Sequence, residues 1–273
     1  MKLQKIIKTI CLILVILGVA QTAIYIVKSI NHKADQKRLA QLLAQSTYQE
    51  ETTIEATPTP QTVEVETETQ TETEIETQTA PAMLEKFTSL YEENPDIVGW
   101  LTIEGTKIDY PVMQNEDDEY YLHRDFYGNE DKYGCLYVRN TADVFTPGTN
   151  VIIYGHNMKD GSMFGTLKKY QTEDYYKEHP TITFDTLYEE RTYQIIAVFY
   201  SQVYNTGDDV FKYYQFYQAD TKEEFDNFYT NIKAISLYDT GIEATYSDTF
   251  ITLSTCSYQV EDGRFVVVAK KLD

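Results

Sequence analysis

Cys256 closes a run of β-branched and apolar residues, Thr249 to Thr255, and Arg264 opens a second apolar run, Phe265 to Ala269. Asp262-Gly263 between them is a turn signal, so the stretch reads as two antiparallel strands that bring a thiol and a fixed positive charge to one sheet edge. A third group lies far upstream, where the apolar run Asn150 to Tyr154 ends in Gly155-His156. A thiolate attacks carbonyl carbon, an imidazole moves the proton, and a guanidinium that never deprotonates holds the developing oxyanion; together these types define a cysteine-nucleophile site. A lone Cys at a strand end is ordinarily a small buried hydrophobe, and it is the company of His156 and Arg264 that argues otherwise here. An unperturbed thiol titrates near 8.5 and an unperturbed imidazole near 6.5, so at neutral pH only about 3% of such thiols are ionised and about a quarter of such imidazoles protonated. His123, in Tyr121-Leu122-His123-Arg124, and His179, before Pro180, end no apolar strand and read as surface residues; His32 lies outside the folded part.

The elements that must position this site begin at Met83 and span about 190 residues, the size of one domain. Eight runs have strand character: Ile97 to Ile103, Thr106 to Gln114, Gly134 to Val138, Asn150 to Tyr154, Thr181 to Thr186, Thr192 to Tyr204, Thr249 to Thr255 and Phe265 to Ala269. Short strands punctuated by Gly, Pro and Asn predict a mostly β fold that closes, or nearly closes, into a barrel. Helical spacing interrupts it at Met83 to Glu93, Asp117 to Leu122, Met163 to Tyr170 and Thr221 to Ile235, the last with Phe225, Phe228, Tyr229 and Ile232 on one face.

Ahead of the domain, residues 1–9 carry Lys2, Lys5 and Lys8, and 10–27 are apolar. That apolar run spans about 27 Å as a helix, enough for a hydrocarbon core of about 30 Å. Gly18-Val19-Ala20 resembles a signal-peptide cleavage site, but the apolar run continues through Ala23 to Val27, which favours an uncleaved anchor. Lys2, Lys5 and Lys8 on one side are answered by Lys28, Lys33, Lys37 and Arg38 on the other, so charge alone does not set the orientation. Residues 28–49, with Ile30, Leu39, Leu42 and Leu43, predict a solvated stalk helix. In 50–82 Thr alternates with Glu or Gln, leaving no face to pack, and the stretch reads as a disordered, extended tether to the domain at 83–273.

A net charge of -20 excludes the basic footprint of a nucleic-acid-binding protein. Three cysteines are too few for a disulfide framework, with Cys11 in the apolar span and Cys135 in a strand. No zinc-ligand spacing, calcium loop or glycine-rich phosphate loop is present, so the chemistry is expected to need neither metal nor cofactor.

The string Thr252-Leu253-Ser254-Thr255-Cys256 with Arg264 and Val266 to Lys270, the upstream Tyr154-Gly155-His156-Asn157-Met158, and the opening Asn94-Pro95-Asp96-Ile97-Val98-Gly99-Trp100 and Ile108 to Gln114 resemble the sortase family, specifically class B. The resemblance runs in order from about Met83 to Leu272. It implies a closed eight-stranded β-barrel with an N-terminal helix and a long helix before the Cys-bearing strand, that helix walling the substrate groove. It implies catalysis by Cys256, His156 and Arg264, with Leu122 and Ser254 touching substrate, although Ser254 also fits a satisfied strand hydroxyl. The implied reaction cleaves a sorting motif of a secreted surface protein after Thr and passes the acyl group to an amine of peptidoglycan. The partners would then be motif-bearing surface proteins, the peptidoglycan amine and, through the N-terminal helix, membrane lipid. The resemblance also places the N-terminus in the cytoplasm and the domain at a Gram-positive-type cell surface. A pilin polymerase acting on a lysine, an L,D-transpeptidase and an inactive tethered binding module are the alternatives. The L,D-transpeptidase pattern, with Cys and Arg two residues apart, is not matched by Thr252 to Ser257.

Overall fold

The computed structural model describes residues 2–54 and 81–272. Most of the stretch read as a disordered tether therefore lies outside the described residues.

Eight strands form a closed barrel in the order β1-β2-β3-β4-β7-β8-β6-β5. They are β1 (Ile97–Thr102), β2 (Asp109–Met113), β3 (Leu136–Tyr137), β4 (Asn150–Tyr154), β5 (Thr181–Thr186), β6 (Thr192–Gln202), β7 (Phe250–Cys256) and β8 (Gly263–Lys271). Two neighbouring pairs, β2 with β3 and β4 with β7, are parallel; the other pairs are antiparallel. All eight expected strands form. The expected Gly134 to Val138 run shrinks to two residues, and the expected Thr106 to Gln114 run is a strand only from Asp109 to Met113, because Ile108 N–H bonds Thr106 Oγ1 and Ile103 N–H bonds the Ile108 carbonyl in the turn before it. Gly99, in β1, lies so close to the Asp185 carbonyl and Phe184 of β5 that a Cβ there has no room.

Alternation sorts the residues of β6, β7 and β8 between two cores. Val151, Ile153, Ile251, Leu253, Phe265, Val267 and Ala269 fill the barrel with Phe184, Ile195 and Val198. The opposite faces of β6, β7 and β8, with Phe199, Phe250, Val266 and Val268, are covered by α4 (Lys222–Ile235), which contributes Phe225, Phe228 and Ile232. Thr221 caps α4 by accepting from Glu224 N–H, while Glu224 returns a bond to the Thr221 N–H.

The other helices differ from expectation in detail. Met83 to Glu93 becomes a 3-10 turn, Glu85–Phe87, followed by α2 (Thr88–Glu93). Phe164–Gln171 is a 3-10 helix, followed by α3 (Glu173–Glu178). Asp117 to Leu122 is not a helix: Asn115 and Asp117 side chains accept the N–H groups two residues on, and these local bonds hold a string of turns instead.

At the N-terminus, α1 (Lys2–Ile54) runs unbroken through the apolar span and the stalk. The stalk is not a plain solvated helix. Leu39 is fully buried against Phe87, Leu90 and Trp100, and Leu42 and Leu43 pack beside it. Arg38 reaches Glu93 of α2 at 2.9 Å. His32, expected to stand apart in the stalk, is buried: its ring stacks on Tyr133 at 4.0 Å and its Nδ1 lies 3.1 Å from Asp131.

Candidate active site

Strand register assembles the site. In the antiparallel β7–β8 hairpin Cys256 lies directly opposite Arg264. In the parallel β4–β7 pair Tyr154 lies opposite Ser254, so continuing both chains by two residues carries His156 alongside Cys256. The backbone is pinned there by cross-bonds past the strand ends. Gly155 N–H donates to the Ser254 carbonyl at 3.2 Å, Thr255 Oγ1 donates to the Gly155 carbonyl at 2.7 Å, and Asn157 Nδ2 donates to the Cys256 carbonyl at 2.8 Å. Gly155 is required between Tyr154 and His156, because a Cβ would run into Leu136 and Phe164. The chain after His156 folds back on itself, with Phe164 N–H on the His156 carbonyl at 3.0 Å and buried Met163 held at a φ of 51°. A left-handed conformation at a side chain of that size is uncommon and marks a loop fixed by its surroundings.

His156 is half-buried, and its Nε2 lies 2.7 Å from the Leu122 carbonyl oxygen. A carbonyl can only accept, so Nε2 carries the proton, and Nδ1 is the ring nitrogen left to exchange one. Leu122 belongs to the turn region between β2 and β3, where Cys135 N–H donates to the Tyr121 carbonyl and Asp131 N–H to the His123 carbonyl. His123 is exposed, as expected, but its ring centroid is only 6.3 Å from that of His156. His179 is held at 2.9 Å to the Glu104 carbonyl, on a different part of the barrel.

Arg264 is half-buried and directs Nη1 to the Asp262 and Gly263 carbonyls, at 3.1 and 3.0 Å. Asp262 itself sits at a φ of 51° in the loop joining β7 to β8, and Ser257 N–H closes that loop on the Gly263 carbonyl. A surface depression is lined by Cys256, the residues of this loop and Arg264. Cys256 is partly exposed while Cys135 is fully buried, and both are free thiols. Burial pushes the Cys135 thiol well above its ordinary range, and Asp125 and Asp131 push it the same way, so Cys135 packs as an inert hydrophobe.

Ser254 is buried, and its hydroxyl is 2.8 Å from that of Tyr213, from the loop before α4. Burial raises the Tyr213 phenol to about 12, against the opposing pull of Ser254 and the positive charge of Arg264. Tyr137, on β3, is also pushed up by burial, with Arg139 and Arg264 acting against the shift and Cys256 adding to it. Tyr137 stacks on Tyr154 at 5.6 Å. The residue types alone did not reveal Asn157, Tyr137 or Tyr213; Asn157 adjoins His156, which was the available signal, whereas the two tyrosines arrive from distant loops and strands.

Residues 101–272 match the family model described as a sortase domain. The chain is 36% identical over 194 residues to Sortase B of Listeria monocytogenes, an alignment covering 68% of this chain and 74% of that protein. Among solved structures, sortase B of Bacillus anthracis superposes with a TM-score of 0.61 at 35% identity, covering 70% of this chain and 86% of the other. A Staphylococcus aureus sortase B–substrate complex superposes with a TM-score of 0.71 at 25% identity, covering 90% and 99%. With most of the folded part matched in sequence and the whole barrel in shape, the chain belongs to the sortase family, class B, the cysteine transpeptidases.

Proposed function

We propose that Cys256, His156 and Arg264 carry out the transpeptidation, on a sorting motif cleaved after its Thr and with an amine of peptidoglycan as acceptor. The observation that supports this most is the register of β7, with Cys256 opposite Arg264 on β8 and the parallel neighbour β4 leading two residues on into His156. In this reading the Cys256 thiolate attacks the Thr carbonyl, forming a C–S bond. As the C–N bond breaks, His156 gives its Nδ1 proton to the departing amine. The acceptor amine then attacks the thioester, passes a proton to Nδ1, and releases the thiolate. Arg264 turns from its loop carbonyls to hold the oxyanion, using a guanidinium that stays charged throughout. The Leu122 carbonyl keeps the imidazole in the orientation and tautomer this requires.

Leu122 and Ser254 line the substrate groove in this reading, Ser254 becoming available when Tyr213 yields its hydroxyl bond. The apolar stretch of α1 is long enough to anchor the chain in a membrane, with the N-terminus cytoplasmic and the barrel at the cell surface. Mass spectrometry of the full chain with a panel of sorting peptides tests the assignment. A covalent adduct equal in mass to the peptide up to Thr is expected on Cys256, and Cys256→Ala is expected to keep the native circular dichroism while losing adduct and turnover. Turnover by Cys256→Ala above a few per cent of wild type removes the thiol from the mechanism.

A further inference from the structure

Three neighbouring strands set a row of side chains on the outer face of the barrel. Ser254 on β7 is paired with Tyr154 on β4, and Tyr154 with Tyr137 on β3. Partners in register point to the same face, here the one opposite to Ile153 and Leu253, which fill the barrel. Cys256 lies two residues beyond Ser254, about 7 Å along the strand. β3 runs antiparallel to β4 while β7 runs parallel to it, so Arg139, two residues beyond Tyr137, lies off the opposite end of the row from the thiol. Its Cζ stands over the Tyr154 ring, 5.6 Å from the centroid. The Tyr137 phenol lies near enough to both ends to feel Arg139, Cys256 and Arg264 at once.

Arg139 is exposed. Its backbone is fixed, with Gln114 Nε2 and Ala142 N–H both donating to its carbonyl, but among the described residues its guanidinium has no hydrogen-bond acceptor and no carboxylate within ion-pair distance. Burial opposes its charge, and the Tyr154 and Tyr217 phenols, Asp118 and Tyr137 favour it, in that order. The phenols do not neutralise it, because burial holds Tyr154 and Tyr137 protonated. Asp118 acts from further off, and its Oδ1 takes the Asn140 N–H at 2.7 Å. The Tyr154 and Tyr217 hydroxyls are sealed from solvent, so the group this corner presents is the guanidinium. A guanidinium stacked on an aromatic face keeps its N–H donors free at the edge, and since it can only donate, what completes it is an oxygen acceptor.

We propose that Arg139 determines specificity by reading a substrate side chain that ends in a carbonyl oxygen, amide or carboxylate, two or three residues before the cleaved Thr. This rests on the transpeptidase reading above. There the leaving amine departs at His156, so the acyl half of the peptide runs the other way, back over Ser254 and toward Tyr154. An extended chain advances about 3.3 Å per residue, so the step of about 7 Å from Cys256 to Ser254 spans two peptide residues, and the side chain at that point meets the guanidinium over the Tyr154 ring.

The test uses the full chain in detergent and the sorting peptide that leaves the most adduct on Cys256, with the second and third positions before Thr each varied among Gln, Glu, Leu and Lys. At one of them wild type is expected to prefer Gln or Glu over Leu by about tenfold or more in kcat/KM, the difference lying in KM. Gln alone would make Arg139 a reader of amides, Glu alone a reader of carboxylates. Arg139→Ala is expected to bring Gln, Glu and Leu within about twofold of one another, and Arg139→Glu to favour Lys. Both replace an exposed side chain and are expected to unfold within about 2 °C of wild type. If no peptide leaves an adduct on Cys256, the transpeptidase reading fails and this proposal with it. If the adduct forms but wild type shows no such preference, or the preference persists in both variants, or Arg139→Ala loses as much on the Leu peptide as on the preferred one, the role of Arg139 alone is overturned.

Discussion

Geometry and charge give Arg264 two separable parts beside Cys256. Arg264 faces Cys256 across the hairpin, yet its Nη1 is engaged by the Asp262 and Gly263 carbonyls, so it must turn to reach a substrate oxygen. If it serves as a planar pair of donors, Arg264→Lys keeps the charge and loses the fork. Loss of one oxyanion donor costs about 2.7 to 4 kcal/mol, roughly a hundred- to a thousand-fold in turnover. We expect Arg264→Lys to be crippled by that amount while the pH profile of Cys256 alkylation stays in place. A near-normal Lys variant, with Arg264→Ala shifting the alkylation profile, would assign Arg264 a purely electrostatic part. At the same scale, Cys256, His156 and Arg264 were legible because each follows or precedes a strand-like run in the chain. Ser254 was ambiguous from its type and remains so until Tyr213 is seen, since only the fold brings that hydroxyl to 2.8 Å.

Among the elements, the closing strand β8 depends on a charged corner. Glu189, in the β5–β6 turn, accepts from Lys271 at the end of β8 and from Arg191 at the start of β6, while Arg191 also donates to the Val144 carbonyl. Burial on its own would lift the Glu189 carboxyl, but the bonds from Lys271 and Arg191 outweigh it and hold the group below its ordinary 4.5. A carboxyl depressed in the folded state stabilises the fold fully above its unfolded pKa and loses that contribution as pH falls through the folded value. Thermal unfolding followed from pH 7 down to about pH 3 is therefore expected to show a steeper loss for wild type than for Glu189→Gln, the two converging at the acid end. Equal slopes would mean that the corner holds β8 by packing alone. The same elements show what periodicity reads well. α4 declared itself through Phe225, Phe228 and Ile232, whereas Asp117 to Leu122 has helical spacing but forms turns, because the short Asn115 and Asp117 side chains take backbone N–H groups locally.

For the molecule as a whole, the consequence of α1 packing is that the stalk is not passive: it adds stability to the domain at 83–273. Leu39 is fully buried in a cluster with Phe87, Leu90 and Trp100, and burying one leucine stabilises by about 1.5 to 3 kcal/mol. A chain cut back to 83–273 is expected to fold and to process peptide. It is also expected to unfold roughly 3 to 12 °C below one that begins at residue 28. Equal midpoints in calorimetry would show that the helix contributes nothing to the fold. By itself the amino-acid sequence determined the length of the apolar N-terminal run, the strand inventory and the barrel, and it singled out Cys256, His156 and Arg264 as candidates, because hydrophobic periodicity and turn residues are local properties. Only the tertiary structure decided that the stalk docks, that His32 is buried and that the Leu122 carbonyl and Asn157 steady the site. Each of these depends on which distant surfaces meet, and a residue's contact partners across the chain leave no mark on its neighbours.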